Sequence, residues 1–398
     1  MIMKTKKLLI GLLVCGLAAT ATAADNLKEM FSQGAVKGEI SSLNYTRDFK
    51  NGTTDNRDFV LGGSLYYKTD SFKGISLGTA FGTTNAISHD DDYGFYYGLT
   101  APGRKAVTRL QEYYVQADYF DTTVKIGAQE VNTPFLHIHP VRMINRTYRG
   151  LSLVNKSINN LSLMGFYLKD YMGWVDEQFI SFNDDVYIAG ANYKLPTDAV
   201  KSNVQAWYFN MPDNLYQTWF NATFSKKLDD IVFHASPTYF FQKSQGDEEV
   251  GTIDTYQYGL NAGAGAFGFD LTAFYAKTGD QSIYDPWGYG KIIIQQIVNS
   301  GDSVSGDRSD EDAYAAKLSY DFGAVGVKGL SAYVFYALYD APASTINETD
   351  CSFQYAFSGE LDGLSVRLRF AQVDKDSGQE DFNDYRLYVT YRFGASGK

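Results

Sequence analysis

The chain has 398 residues, a formal net charge of −11 and 2 cysteines. That acidic balance argues against nucleic acid and against adhesion to an anionic lipid surface as the main task. Tyr (31), Phe (27) and Gly (37) are common and Pro (8) is scarce, a composition that favours sheet over helix.

The chain opens MIMKTKKLLIGLLVCGLAATATAAD, with Lys4, Lys6 and Lys7 before an apolar run from Leu8 to Leu17 and small residues at Ala21, Ala23 and Ala24. This pattern predicts a secretory signal peptide over 1–24, too short to span a bilayer, followed by a single domain over 25–398. Val14 is too bulky to precede a lipidated Cys15. Loss of the leader would leave Cys351 alone, with no intramolecular disulfide, and a charge of −14, with 32 basic residues facing 46 acidic ones.

Alternating segments follow in chain order at roughly 34–49, 57–69, 73–83, 109–121, 122–131, 150–157, 160–171, 185–195 and 202–210. The second half continues at roughly 215–225, 230–241, 253–263, 267–277, 312–321, 329–339, 351–359, 363–373 and 384–393, which makes 18 strands. Short links such as DSFKG, SIN, KKLDD, GAFG and LDG alternate with longer ones at 84–108, 132–149, 242–252, 278–311 and 374–383. Short turns on one rim and long loops on the other predict an all-β transmembrane antiparallel barrel, with the short turns periplasmic and the long loops extracellular. An exported chain without spanning helices can cross a membrane only as such a closed sheet.

The two faces of the strands support this. In TTVKIGAQ, Val124 and Ile126 lie opposite Lys125, and in AYAAKLSYDF, Tyr314, Leu318 and Tyr320 lie opposite Lys317. In LSVRLRF, Arg367 and Arg369 share one face while Val366, Leu368 and Phe370 share the other, and Arg386 and Arg392 repeat the pattern in the last strand. An arginine on the lipid face costs roughly 2–4 kcal/mol at mid-membrane, so the arginines should line the lumen. At roughly 2.3 Å of axial rise per residue, Arg392 is expected lowest, Arg367 and Arg369 intermediate and Arg386 highest, over roughly 14 Å. Such a column would attract anions by successive weak sites. Its alternative is a set of solvated wall charges paired with acids on neighbouring strands. The final strand ends on the aromatic Phe393, the usual mark read by outer-membrane assembly machinery, with Gly394 to Lys398 trailing as a tail.

Four stretches together resemble the OprD family of substrate-selective outer-membrane porins: EISSLNYTRDFK, the long segment from QEVNTPFLHIHPVRMINRTYRG through NNLSLMGFYL, YDPWGYG with the two strands after it, and GLSVRLRFA with DYRLYVTYRF. The resemblance covers the chain from about residue 30 to its end. It implies an 18-stranded barrel whose third and seventh long loops fold into the lumen to form an eyelet. It further implies Arg142, Arg146 and Arg149 as third-loop residues, Asp285 as a seventh-loop acid facing the basic wall, and Arg47 and Lys375 as extensions of the arginine column. His137 and His139 depart from the pattern; two histidines at this spacing could titrate or hold a metal, but no third ligand is evident, and no metal or cofactor is expected.

The expectation for function is a passive channel for small anionic or zwitterionic solutes, such as organic acids or amino acids, in the outer membrane of a Gram-negative bacterium among its lipid and lipopolysaccharide. A general, weakly selective porin and a structural or adhesive barrel are the alternatives. No enzyme is expected: His234 and Ser236 share a face, but a barrel lipase needs such a pair on its outer wall with a third group to orient the histidine. Monomer and trimer both remain open.

Overall fold

The computed structural model describes residues 24–50, 52–88, 92–138, 140, 142–197, 199–285, 308–376 and 381–394; the expected leader, His139, most of the seventh long loop and the last four residues lie outside these. A short helix, α1 (Leu27–Ser32), which the sequence pattern did not predict, precedes the strands. They are β1 (Ala35–Phe49), β2 (Asn56–Lys68), β3 (Ile75–Ser88), β4 (Val107–Tyr119), β5 (Thr122–Gln129), β6 (Thr147–Asn155), β7 (Leu161–Met172), β8 (Ile180–Lys194) and β9 (Lys201–Met211). The others are β10 (Leu215–Leu228), β11 (Ile231–Ser244), β12 (Asp254–Ala266), β13 (Phe269–Thr278), β14 (Asp312–Asp321), β15 (Leu330–Ala341), β16 (Ser344–Ala356), β17 (Leu364–Lys375) and β18 (Phe382–Gly394).

Every strand pairs antiparallel with its sequence neighbours, and β1 closes the ring on β18 in a register that runs from Lys37 opposite Gly394 to Phe49 opposite Phe382. Closure removes both sheet edges, which is what lets backbone cross hydrocarbon with its polar groups paired. The β4–β5 link is only Phe120–Asp121 and the β12–β13 link only Phe267–Gly268, all with positive φ as a two-residue hairpin requires. Phe120 and Phe267 are 79% and 75% exposed, so neither serves a core; they suit the short-turn rim as interfacial aromatics.

Side chains alternate between the two faces, with register shifts in the β2–β3, β3–β4, β6–β7 and β7–β8 pairs. Leu65, Phe81, Val115, Ile126, Leu271, Leu318, Val334, Phe353 and Leu368 stand exposed on the outer face, an apolar band that belongs in lipid. The inner face is polar in many places, but the long loops bring apolar packing into the upper lumen. Phe135 and Leu136 of the third long loop (130–146) pack with Tyr148, Phe182, Phe209 and Trp219 of the wall. Met143 and Ile144 of the same loop join Tyr96 and Leu99 of the second long loop (89–106) and Trp174 of the fourth (173–179) against Leu43, Tyr45 and Val60. The wall makes room for this: a Cβ on Gly82 of β3 would lie 2.2 Å from Ile144 Cγ2. Residues of the third long loop thus pack against wall side chains, with residues of the second and fourth beside them. For the seventh loop only the flanks are described, where Tyr284 exchanges two hydrogen bonds with Gln242 of the inner wall.

One strand departs from its expected position. β16 begins at Ser344, after the two residues Pro342 and Ala343, whereas the pattern places it at 351–359. Its first half puts Glu348 and Asp350 inward and Asn347 and Thr349 outward, polar on both faces, so hydrophobic alternation gives no signal there.

Candidate substrate pathway

The wall formed by β14, β15, β16, β17, β18 and β1 carries most of the expected basic residues. Arg369 and Arg386 lie directly opposite each other across the β17–β18 pair, and Arg367 lies opposite Tyr388. Arg386 is thus level with Arg369 rather than above it, because the hairpin register is set by the loop at 376–381 and not by counting from either strand end. Arg392 is lowest, at the short-turn end, and donates to Glu39 at 2.6 Å.

The upper part of this wall is an ion cluster. Asp384 accepts from Arg386 Nε at 2.6 Å, from Arg47 Nη2 at 3.0 Å and from the Tyr45 hydroxyl at 2.9 Å. Arg47, Asp384 and Arg386 are all almost fully buried. A carboxylate buried this deeply is tolerable only with such saturation, and here two guanidiniums share one acid. Tyr96 of the second loop covers the cluster: its ring stacks on Tyr45 at 4.2 Å and lies 5.0 Å from the Arg47 guanidinium and 5.3 Å from that of Arg386. Asp58 holds the tyrosine in place by accepting from its backbone N–H at 2.7 Å and from Arg104 Nε at 3.1 Å. Burial pushes the Tyr96 phenol up, but Arg142, Arg386 and Arg47 outweigh it and hold the phenol below its ordinary value.

The lower part of the wall differs. Arg367 donates to the hydroxyls of Ser352 at 3.2 Å and Tyr333 at 3.3 Å, and Lys317 lies over the Tyr333 ring at 4.6 Å. Lys317 is within electrostatic reach of Arg367 and Arg369 and of the Asp270 carboxylate on β13. Arg369 is 6% exposed, and its Nε has no hydrogen-bond partner among the described residues. No acid among the described residues lies within ion-pair distance of Arg367 or Arg369. Lys375 stands higher on β17, over the Phe382 ring at 5.7 Å.

Two of the three expected third-loop arginines meet beside Trp174 of the fourth loop. Arg142 and Arg146 lie 4.9 Å and 3.9 Å from the Trp174 ring, and Arg142 also lies 4.6 Å from Tyr96. Arg149 does not join them. It is the third residue of β6, faces outward opposite Asp170, and pairs with that carboxylate at 2.6 Å while lying 4.9 Å from Phe179. A shift of one residue in a strand exchanges the two faces, and the strand begins three residues earlier than the alternation suggests. Arg109 of β4 fixes the loops themselves: it donates to the carbonyls of Gly173, Asp176 and Asn145, tying the third long loop to the fourth.

Across the lumen, Lys125 lies over the Tyr114 ring at 4.6 Å, near Glu112 and Glu130. Glu112 accepts from the Glu130 N–H, and Glu130 from Tyr66 and Asn145. Asp285, the last described residue at the start of the seventh long loop, is half-buried within electrostatic reach of Tyr148 on β6. The His137 carbonyl accepts from the Tyr148 hydroxyl at 3.1 Å, and the described residues contain no group of three metal-ligating side chains. His234 and Ser236 face the lumen; contrary to expectation, the histidine is oriented, by Asp270 at 2.9 Å, while the Ser236 hydroxyl accepts from Asn221. Sequence reasoning missed Asp384, Tyr96, Trp174 and Arg109. Only Asp384 left a trace in the pattern, two residues before Arg386 and so on its face.

The sequence matches the outer membrane porin family OprD over residues 108–395. It is 23% identical over 383 residues to the porin-like protein GalP of Pseudomonas putida, covering 90% of this chain and 86% of that one. Among solved structures it is similar to OccK9 (OpdG) of Pseudomonas aeruginosa, with a TM-score of 0.83 and 21% identity, and to OpdK of the same organism with vanillate, with a TM-score of 0.80 and 18% identity. Each covers 92% of this chain and is itself covered in full. With its 18 strands closed, its outer band apolar and its lumen lined by charge, the chain belongs to the OprD family of outer membrane porins, multi-pass β-barrels that admit small solutes across the Gram-negative outer membrane.

Proposed function

We propose that this porin selects small carboxylate-bearing solutes, organic acids or amino acids, and that Arg367, Arg369 and Lys317 form the wall along which they pass. The observation that carries this is the contrast within one hairpin: Arg386 is matched by Asp384, whereas Arg369, level with it and nearly as buried, has no acid at ion-pair distance among the described residues. A buried guanidinium without a counter-ion costs several kcal/mol, and a passing carboxylate offsets that cost, fitting the planar fork with two parallel hydrogen bonds. Arg367 and Lys317 extend the same field toward the short-turn rim, so a solute leaves one weak site for the next. Arg142 and Arg146, held by Trp174, face the solute at the loop constriction. The solution of the related OpdK with vanillate, an aromatic carboxylate, fits this reading.

The outer apolar band faces lipid and lipopolysaccharide, and β18 with its Phe393 is the segment the assembly machinery would read. Liposome flux tests the selectivity. Benzoate should enter several times faster than uncharged benzyl alcohol corrected for bilayer leak, and benzylamine should enter slowest. Equal rates for the acid and the amine would leave a general porin.

A further inference from the structure

A second set of basic side chains lies on the opposite wall, nine strands from β18 around the ring of eighteen. Lys201 of β9, Ser225 of β10 and His234 of β11 stand side by side in one cross-strand row. Lys194 of β8 and Thr223 of β10 flank Asn203 of β9 in the next. All are near the short-turn ends of their strands, which places them in the periplasmic vestibule. They line a recess of about 540 Å³, and the lining contains no acidic residue among the described residues. That volume falls in the range of small-molecule sites.

The row is built with some care. The imidazole of His234 leans over Gly263 of β12, where a Cβ would come within 2.6 Å of the ring, and Asp270 of β13 fixes its Nε2 at 2.9 Å. Any side chain at position 263 would displace the ring.

We propose that this recess is an exit subsite for a small carboxylate. Lys194 and Lys201 supply the charge, and the Ser225 and Thr223 hydroxyls and the Asn203 amide supply hydrogen bonds. A solute released by the arginine wall crosses to it before leaving. The site is separate from that wall, so the two can fail independently.

Single-channel recording with benzoate as the probe tests this, adding it to one side of an oriented porin at a time. In wild type, benzoate added on the short-turn side interrupts the ion current. In Lys194→Gln/Lys201→Gln the half-blocking concentration from that side rises at least about fivefold, and from the long-loop side less than about twofold, as expected for two lost charge contacts at one end of the lumen. Lys194→Arg/Lys201→Arg, which keeps the charge, retains the wild-type block and controls for folding. Adding Lys194→Gln/Lys201→Gln to Arg367→Ala/Arg369→Ala still raises the short-turn-side half-blocking concentration at least about fivefold over that of the arginine variant, which separates this subsite from the arginine wall. No block in wild type, a smaller change, or an equal change from both sides overturns the proposal.

Discussion

Arg369 and Arg386 face each other across the β17–β18 hairpin, and among the described residues only Arg386 has a paired carboxylate, Asp384 at 2.6 Å. The same hairpin therefore holds one cation that is structural and one that is available. The two should respond to substitution in opposite ways. Asp384→Asn strands Arg47 and Arg386 in a buried site and should cost about 3–5 kcal/mol, as breaking buried pairs does. Arg369→Leu removes an unmatched buried charge and should raise stability, by about 1–4 kcal/mol. Urea unfolding in detergent micelles, followed by heat-modifiable gel mobility, compares the two.

Tyr96 gives the channel an alkaline limb. Burial raises its phenol, but three guanidiniums outweigh that and lower it below the ordinary tyrosine value. Above the lowered pKa the ring becomes a phenolate, which adds negative charge at the constriction and opposes entry of anions. Benzoate flux should therefore fall as pH is raised toward ten, earlier than ordinary tyrosines titrate. Tyr96→Phe should remove that limb while leaving flux near pH 7 unchanged.

Arg109 holds the constriction together through the Gly173, Asp176 and Asn145 carbonyls. Arg109→Met keeps the length of the side chain and loses all three bonds, at roughly 1–3 kcal/mol for each carbonyl left buried. The third and fourth loops should loosen, raising conductance and reducing discrimination between benzoate and benzyl alcohol. Planar-bilayer recording of the variant with both solutes reads this directly.

The barrel was legible because its determinants are local and periodic. Leu368 and Arg369 need only alternate for lipid and lumen to sort them, and Asp121 needs only a tight link to mark a turn. Loop packing has no such period: nothing in the sequence says that Ile144 will dock on Gly82, or that Tyr96 will settle over Arg47. Arg149 shows the fragility of a period of two at a strand end, where one residue decides between lumen and outer face. Glu348 and Asp350 stayed hidden because their strand is polar on both sides.

The same alternation yields a paired test of orientation. Leu368→Arg places a charge in lipid and should cost about 2–4 kcal/mol, whereas Gln354→Arg, on the luminal face opposite Arg367, should cost only the roughly 0.2–1 kcal/mol of a like-charge cross-strand pair. Refolding yields into liposomes distinguish the two.

The most direct measurement is benzoate flux through Arg367→Ala/Arg369→Ala, reconstituted beside wild type and normalised to the flux of benzyl alcohol. The two arginines supply the unmatched charge of the wall, so the folded double variant should lose benzoate flux about tenfold, equivalent to roughly 1.4 kcal/mol, and keep its flux of neutral solute. A well-folded double variant that passes benzoate as fast as wild type would contradict the account.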